Sequence, residues 1–588
     1  MSYNVLGISA HYHNAAVCLL RDGKLVAAAE EERFSRIKHD PSMPKGATRF
    51  CLRQAGLTMA DIDCVAYYEL PEKKLGRQLW MGLPGCDRRS DELARMDPKR
   101  AEREIRTILG FDGPIEWVEH HLAHAASAFH FSGFEEAAVL TVDGVGEWAT
   151  TSYGHGAGQS LTLFEQVEFP NSIGLLYSTL TSYLGFKVNG GEYKVMGLAP
   201  YGKPVHVDAI RAMILPGEGG QYRLDMSYFD FLKSDRMYSD KLIETLGAPP
   251  RAPESDMGPF HMDIAHSLQV VLNELMIAKA TWLHERVPSE NLCMAGGVAL
   301  NCVANGQVLT RGPFKNLFVQ PASNDAGGAL GAAAIAHVRR CEDPLPRARL
   351  RDVFLGPSYS NDEIARMLAT TPLEYEDFRG RSEELFDRVA EAMDNGKVIG
   401  WFQGRMEFGP RALGGRSILA DPRSPLMRDH INALVKKREA FRPFAPSVLE
   451  ERMGDHFQLQ STSPFMLQTC PVHSTLDLPA ITHVDNSARV QTVHAEENPR
   501  YHALLSAFHR RTGCPLVLNT SFNMRSEPIV CSPKNALSCF VRAGIDLLVL
   551  EDFLIDKNTI PSYWKQALEI VEGNQSASAI THRVYTFF

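Results

Sequence analysis

The sequence predicts an α/β protein of two lobes, and three patterns carry that reading. A strand followed by a hairpin occurs twice, about 130 residues apart; strands and helices then alternate over 291–339; and a second α/β stretch follows a charged, proline-containing segment at 341–360.

Residues 4–31 read as strand NVLGIS, strand NAAVCLL, a turn at Asp22-Gly23 and strand KLVAAAEE. An Asp-Gly pair between apolar runs is a hairpin signal. Residues 137–168 repeat the plan with AAVLTVDG, ATTSYGHG, a glycine-rich turn and LTLFEQVEF, and helical segments at 45–57, 89–109 and 120–130 lie between. The repeat predicts duplicated halves around a cleft. Helical apolar spacing runs through 260–286, and NLCMAGG (291–297) is a short buried strand. A helix at 298–310, strand NLFVQ at 316–320 and an Ala-rich helix at 327–339 follow, the alternation of a mostly parallel sheet. The domain boundary is expected at 350, giving units 1–350 and 351–560, the second opened by helix 383–395 and strand KVIGWFQG (397–404). The tail 561–588 carries no readable pattern.

With 588 residues, 44% hydrophobic and 22% charged, the chain is neither disordered nor fibrous. Its 61 Lys+Arg against 70 Asp+Glu give a net charge of −9 and no long basic run. That argues against nucleic acid or an anionic membrane as partner. The 11 cysteines are odd in number and form no Cys-x-x-Cys pair, as expected of reduced thiols. The N-terminus enters a strand without a charged leader and apolar core, so a cytoplasmic protein is expected.

EHHLAHAASAFHF (119–131) sets His120 and His124 four residues apart, on one face of a helix. Asp143 in LTVDG and Asp325 in QPASNDAGGALG each follow a strand, where carboxylates point into the cleft of an α/β sheet. Together they make a candidate His₂Asp₂ metal shell. A surface helix with scattered histidines is the plainer alternative, and the matching acidic loops weigh against it. Gly296-Gly297 in MAGGVALN, with Asn301 after it, allows backbone approach to a phosphate or ribose. Gly pairs at such turns are more often plain packing. NGGEYKVMGLAPYG (189–202) reads as a Gly-rich loop whose Lys194 could meet a phosphate.

The second unit is rich in anion-binding side chains: Arg405, Arg411 and Arg416 in QGRMEFGPRALGGRSIL, then Lys436, Lys437, Arg438 and Arg442 in VKKREAFRPFAP. Arg489 and the loop LNTSFNMRSEP (518–528), with Asn519 and Ser521, follow. In an acidic protein, arginines interleaved with Phe, Pro and Ala argue for bidentate capture of a phosphate-bearing small molecule over a solvated basic face. His11 and His13 in HYHNAA close the first strand, and a histidine there could accept a proton near neutral pH.

The ordered motifs YHNAA, EEERFSRIKHD, HHLAHAASAF, LTVDG, VMGLAPYG, AGGVALN, GPRALGGRSIL, RDHIN, FRPFAPS and LNTSFN, over about 1–550, resemble the O-carbamoyltransferase family of antibiotic and nodulation-factor tailoring enzymes. The resemblance implies a duplicated actin/Hsp70-like (ASKHA) N-terminal lobe and a YrdC-like C-terminal lobe. It implies that the C-terminal lobe makes carbamoyl-adenylate from carbamoyl phosphate and ATP, the latter with Mg²⁺. The N-terminal lobe then transfers the carbamoyl group to a hydroxyl of a small molecule and releases AMP. Carried over by motif, His120, His124, Asp143 and Asp325 resemble the ligands of a divalent metal, usually iron, which an N/O set does not distinguish from zinc or manganese. Gly296, Gly297 and Asn301 match nucleotide contacts of the first lobe, beside the loop lysine Lys194 as a further cofactor-binding candidate, His13 matches the proposed base, and Arg411, Arg416, Lys436, Arg442, Arg489, Asn519 and Ser521 match the positions expected to hold ATP and carbamoyl phosphate. Relatives commonly have His-Asp where this chain has His13-Asn14. A homodimer is compatible with the resemblance. Two other readings share features: a tRNA threonylcarbamoyl transferase, disfavoured by the acidic charge, and a non-enzymatic actin/Hsp70-like nucleotide-binding module. A hydrogenase-maturation carbamoyl protein would carry Cys-x-x-Cys repeats, absent here.

Overall fold

A computed structural model of the chain describes residues 2–82, 96–436, 438–564 and 566. The described residues divide into two compact units, one of 2–31 with the described part of 39–350 and one of 32–38 with the described residues from 351 to 566. The short segment 32–38, counted with the first lobe from sequence, belongs to the second unit.

The first unit holds two five-stranded sheets. In one, β1 (Asn4–Ser9), β2 (Ala16–Arg21), β3 (Lys24–Glu30), β4 (Cys64–Tyr67) and β5 (Ile115–Trp117) run in the order β3-β2-β1-β4-β5. The other is built from β6 (Glu136–Val142), β7 (Ala149–Ala157), β8 (Ser160–Glu168), β11 (Asn291–Ala295) and β12 (Asn316–Val319), ordered β12-β11-β6-β7-β8. A small hairpin, β9 (Ile214–Pro216) with β10 (Tyr222–Leu224), stands apart. In each large sheet the first three strands form an antiparallel meander, and the last two join the first in parallel. The duplication is therefore one of topology as well as of sequence pattern. β1 is buried along its whole length, and β6 along all but its first residue, as expected of central strands covered on both faces.

Two helices position the site. Helix α1 (His120–Phe129) packs on β6 and β11, helix α3 (Asp325–Arg340) packs on β1, β2 and β4, and the two helices pack on each other. Between them in sequence, α2 (Cys302–Arg311) is capped by Asn301. A Cβ on Gly331 would fall 1.7 Å from the Ala123 carbonyl oxygen, so only glycine lets α1 and α3 approach this closely. The predicted helix 89–109 is observed as an α-helix at Arg100–Glu104 passing into a π turn at Ile105–Leu109, while 89–95 lie outside the described residues.

The second unit is one mixed eight-stranded sheet. Its strands are β13 (Glu376–Asp377), β14 (Ile399–Phe402), β15 (Arg416–Ala420), β16 (Ala445–Leu449), β19 (Gln491–Val493), β20 (Leu516–Ser521), β21 (Leu547–Leu550) and β22 (Phe553–Asp556). They are ordered β13-β22-β21-β14-β15-β20-β16-β19, with β17 (Thr469–Pro471) and β18 (Ser487–Arg489) pairing separately. Helices Ser382–Asp394 and Pro499–Thr512 pack together, and Trp401, Phe402, Tyr501 and Phe508 lie in the core. Among the described residues no helix is long and apolar enough to cross a membrane.

Candidate functional site

His120, His124, Asp143 and Asp325 are all buried, and their ligand atoms lie within 4.8 Å of one another. The two Nε2 atoms face each other at 3.0 Å; His120 Nε2 lies 3.3 Å from Asp143 Oδ2 and 3.8 Å from Asp325 Oδ1; His124 Nε2 lies 3.9 and 3.8 Å from the same two oxygens. Ligands on a metal at about 2.1 Å stand roughly 3.0 Å apart at right angles and about 3.4 Å apart at tetrahedral angles. The spacing therefore brackets a coordination shell. Two buried carboxylates and two inward-facing imidazole nitrogens converge on a point where a metal cation would be stabilised.

Each aspartate uses one oxygen on the cluster and the other on a neutral donor. Gly297 N–H donates to Asp143 Oδ1 at 2.8 Å, and Tyr68 O–H donates to Asp325 Oδ2 at 3.3 Å. Such supports hold ligating carboxylates in orientation. Burial would raise both carboxyls, but His120 holds Asp143 far below its usual value, and His13, then His124 and His120, lower Asp325. The start of α1 is fixed by Glu147, whose carboxylate accepts from His120 N at 3.0 Å and Leu70 N at 2.7 Å. Neither Tyr68 nor Glu147 is part of a motif that sequence reasoning used.

Residues 11–14 do not continue β1 as an extended segment; His11 has φ +74° and Asn14 φ +52°. This turn separates the two histidines. His11 is held on both nitrogens, by Tyr67 Oη at 2.9 Å and Glu104 Oε2 at 2.9 Å. His13 Nδ1 lies 3.0 Å from Asn14 Oδ1. A carboxamide oxygen only accepts, so Nδ1 carries the hydrogen and Nε2 keeps its lone pair. Asn14 thus fixes the tautomer of the neutral His13 ring.

The nucleotide-side expectations fare unevenly. Gly296 has φ +92°, and a Cβ there would fall 2.3 Å from the Val142 carbonyl oxygen; the turn exists to bring Gly297 N–H onto Asp143. Asn301 caps α2 through Ala304 N at 2.9 Å and pairs with Gln269 through both ends of its carboxamide, at 3.0 and 3.1 Å, so its side chain is committed to structure. The stretch 189–202 is not a loop throughout, because Glu192–Leu198 is helical. The N–H groups of Asn189, Gly190 and Gly191 converge as an anion nest, but Glu192's own carboxylate fills it at 2.9 to 3.1 Å. Lys194 stands over the Phe186 ring at 5.4 Å.

In the second unit, Arg416 departs from its expected role. It is fully buried, stacked 3.6 Å over the Phe402 ring, and donates to the carbonyls of Gln403, Gly404, Gly415 and Pro357 at 2.9 to 3.2 Å. Its Nη1 and Nη2 donors hold the turn together, and its buried Nε meets no acceptor. Asn519 Nδ2 reaches Ala412 O, Ser447 Oγ and Gln491 Oε1 at 3.0 to 3.2 Å, beside Arg411. Its Oδ1 is buried without a donor. Two residues on, along the same face of β20, Ser521 meets Lys436, whose Nζ also contacts Asn523 Oδ1 at 2.9 Å. Arg489, on β18, has a buried Nε with no acceptor, and Arg442 pairs with Glu439 at 3.8 Å. Lys437 lies outside the described residues.

A model described as Carbamoyltransferase N-terminus matches residues 4–80 and 98–334, and one described as Carbamoyltransferase C-terminus matches 390–557. The chain belongs to the carbamoyltransferase family. An uncharacterized protein of Synechocystis is 45% identical to this carbamoyltransferase over 612 aligned positions, covering 96% of this chain and 100% of the relative. The nodulation protein NolNO of Sinorhizobium fredii is 40% identical over 581 positions, covering 94% and 80%. A 3'-hydroxymethylcephem-O-carbamoyltransferase of Amycolatopsis lactamdurans is 37% identical over 264 positions, covering 44% and 48%. The matched N-terminal stretch contains all four residues of the candidate metal cluster, and the C-terminal stretch contains Arg411, Lys436, Arg489 and Asn519.

Proposed function

We propose that this carbamoyltransferase activates carbamoyl phosphate with ATP and transfers the carbamoyl group to a hydroxyl of a small natural product. The convergence of His120, His124, Asp143 and Asp325 within the matched N-terminal stretch supports this reading most. The name of the cephem relative, a 3'-hydroxymethylcephem-O-carbamoyltransferase, supports a hydroxyl-bearing small molecule as acceptor, and the net charge of −9 disfavours nucleic acid. The duplicated sheet order is compatible with the actin/Hsp70-like reading of the first unit.

In the second unit, carbamoyl phosphate would lose its phosphate to water and leave carbamate. A carbamate oxygen then attacks the α-phosphorus of ATP, bound with Mg²⁺, and pyrophosphate departs. Arg411, Lys436, Arg442, Arg489, Asn519 and Ser521 hold the phosphates, and Arg416 keeps their turn in shape. In the first unit the acceptor oxygen attacks the carbamoyl carbon, the bond to the AMP oxygen breaks, and the hydroxyl proton passes to His13. His120, His124, Asp143 and Asp325 would hold a divalent metal, which would supply positive charge near a developing oxyanion; iron, zinc and manganese all suit the set.

The test is to incubate the protein with ATP, carbamoyl phosphate and a candidate hydroxylated metabolite, following pyrophosphate release and the acceptor's mass. Pyrophosphate release that requires carbamoyl phosphate and a carbamoyl mass gain support the reading. Release indifferent to carbamoyl phosphate refutes it.

A further inference from the structure

Asn14 stands between two imidazoles of the first unit. Its Oδ1 lies 3.0 Å from His13 Nδ1 and 3.3 Å from His39 Nδ1. Because a carboxamide oxygen only accepts, both rings donate to it, and each neutral ring carries its hydrogen on Nδ1. The backbone brings the three residues together. His11 N–H donates to Pro41 O at 2.7 Å and Ala15 N–H to Asp40 O at 3.0 Å, so the turn 11–15 is laced to the segment 39–41 on both sides of Asn14. Asn14 and His39 each adopt left-handed backbone, at φ +52° and +58°, and Asn14 is buried.

A carboxamide has two ends of nearly the same shape and opposite character. With Oδ1 toward His13, Nδ1 donates and the neutral ring can take a proton at Nε2. With Nδ2 toward His13, Nδ1 must accept, the ring hydrogen sits on Nε2, and that nitrogen cannot serve as a base. Asn14 Nδ2 has no acceptor within hydrogen-bond distance among the described residues, so no bond on that side holds the amide. The second donor on Oδ1 is what holds it: turning the amide over would require both rings to move their hydrogens together.

We propose that His39 is a positioning residue for the transfer step, donating to Asn14 Oδ1 and so keeping His13 in the tautomer whose Nε2 can accept the proton of the attacking hydroxyl. The use of that tautomer rests on the proposed function; the tautomer itself does not. His39 belongs to the stretch EEERFSRIKHD and is given work there by Asn14.

The test reads the ring-nitrogen chemical shifts of His13 in the full chain, labelled with ¹⁵N-histidine, supplied with diamagnetic Zn²⁺ and held at alkaline pH where the imidazoles are neutral. The resonances missing from His13→Ala assign them. Wild type should show a protonated Nδ1 and a bare Nε2. His39→Asn keeps a donor at the same place and tolerates the left-handed backbone, so it should preserve that pattern. His39→Asp has the same shape but only accepts; it should draw Asn14 Nδ2 round and reverse the two shifts. In Asn14→Asp, whose carboxylate has no wrong end, His39→Ala should leave the shifts unmoved. Wild-type shifts in His39→Asp, or a hydrogen on Nε2 in wild type, overturn the proposal. Once an acceptor is in hand, His39→Asp should slow transfer at least tenfold with metal content unchanged and the acceptor KM within twofold of wild type. A transfer rate equal to wild type with reversed shifts overturns the role in transfer. If wild type transfers no carbamoyl group at all, the functional reading fails, and the ring shifts still decide whether His39 sets the tautomer.

Discussion

Gly297 donates its backbone N–H to Asp143 Oδ1 at 2.8 Å, across 154 residues of chain. The bond joins the ends of two parallel neighbours, β6 and β11. It turns the Gly-Gly pair after β11 into a support for a candidate metal ligand, since Asp143 is left with one oxygen for the cluster. Tyr68 serves Asp325 in the same way from the first sheet.

Removing these supports should loosen the metal without removing a ligand. Tyr68→Phe is expected to weaken metal affinity about 10- to 100-fold, the usual effect of deleting an outer hydrogen bond. Gly297→Ala should do more, because its Cβ would stand 2.9 Å from Asp143 Oδ1. Metal content after dialysis against graded chelator is the measurement, and wild-type retention in both variants would count against the arrangement.

Ligand removal should separate the two half-reactions. His120→Ala and Asp325→Ala are expected to lose bound metal and carbamoyl transfer while keeping carbamoyl-phosphate-dependent pyrophosphate release, because the second unit uses none of those atoms. Elemental analysis and a pyrophosphate assay on the same preparations check it.

Arg416 and Arg411 should fail differently. Arg416→Ala strips the donor from three buried carbonyls, those of Gln403, Gly415 and Pro357, at about 1–3 kcal/mol each when left unsatisfied, and should lower Tm sharply or prevent folding. Arg411→Ala should fold normally and lose pyrophosphate release by at least tenfold. Thermal melts run beside the assay distinguish the two outcomes.

That contrast marks what the sequence could reveal. The His-x-x-x-His spacing and two Asp-containing strand ends were legible because helix and strand periodicities fix where those side chains point. The repeat was legible because each half carries the same meander. The role of Arg416 was not, since a phosphate-binding arginine and a carbonyl-clamping one share the same Gly-rich surroundings, and only burial tells them apart. Asn301 was misread for a similar reason: an asparagine after a glycine turn suits both a ribose and a helix N-cap. Glu192 in its own nest and the segment at 32–38 depend on tertiary packing that no local pattern encodes.

Acid should destabilise the first unit through His130. Burial alone pushes this imidazole down to about 4, and its Nε2 has no partner. The unfolded chain, near 6.5, binds more protons between those values. Stability is therefore complete above about pH 6.5 and falls as pH drops toward 4, with a slope approaching about 1.4 kcal/mol per unit. His130→Phe should flatten that slope in denaturant titrations at pH 7, 6 and 5, and an unchanged slope would point to other groups.

His13 and His11 lie two positions apart, yet the turn between them gives them different work. His11 has both nitrogens engaged, by Tyr67 and Glu104, so His11→Ala should cost stability and leave the chemistry largely intact. Asn14 Oδ1 accepts at His13 Nδ1, so in the neutral ring Nε2 is the nitrogen that can take a proton. An alcohol attacking a carbamoyl carbon must lose its proton, and a positioned base contributes about 10²- to 10⁴-fold. His13→Ala should therefore slow transfer at least 100-fold while metal content and pyrophosphate release stay near wild type. Asn14→Ala should give a smaller loss, since the ring keeps its basicity and loses only its fixed tautomer. Loss of metal in His13→Ala would make the residue a ligand or its support, and a wild-type transfer rate would remove it from the mechanism.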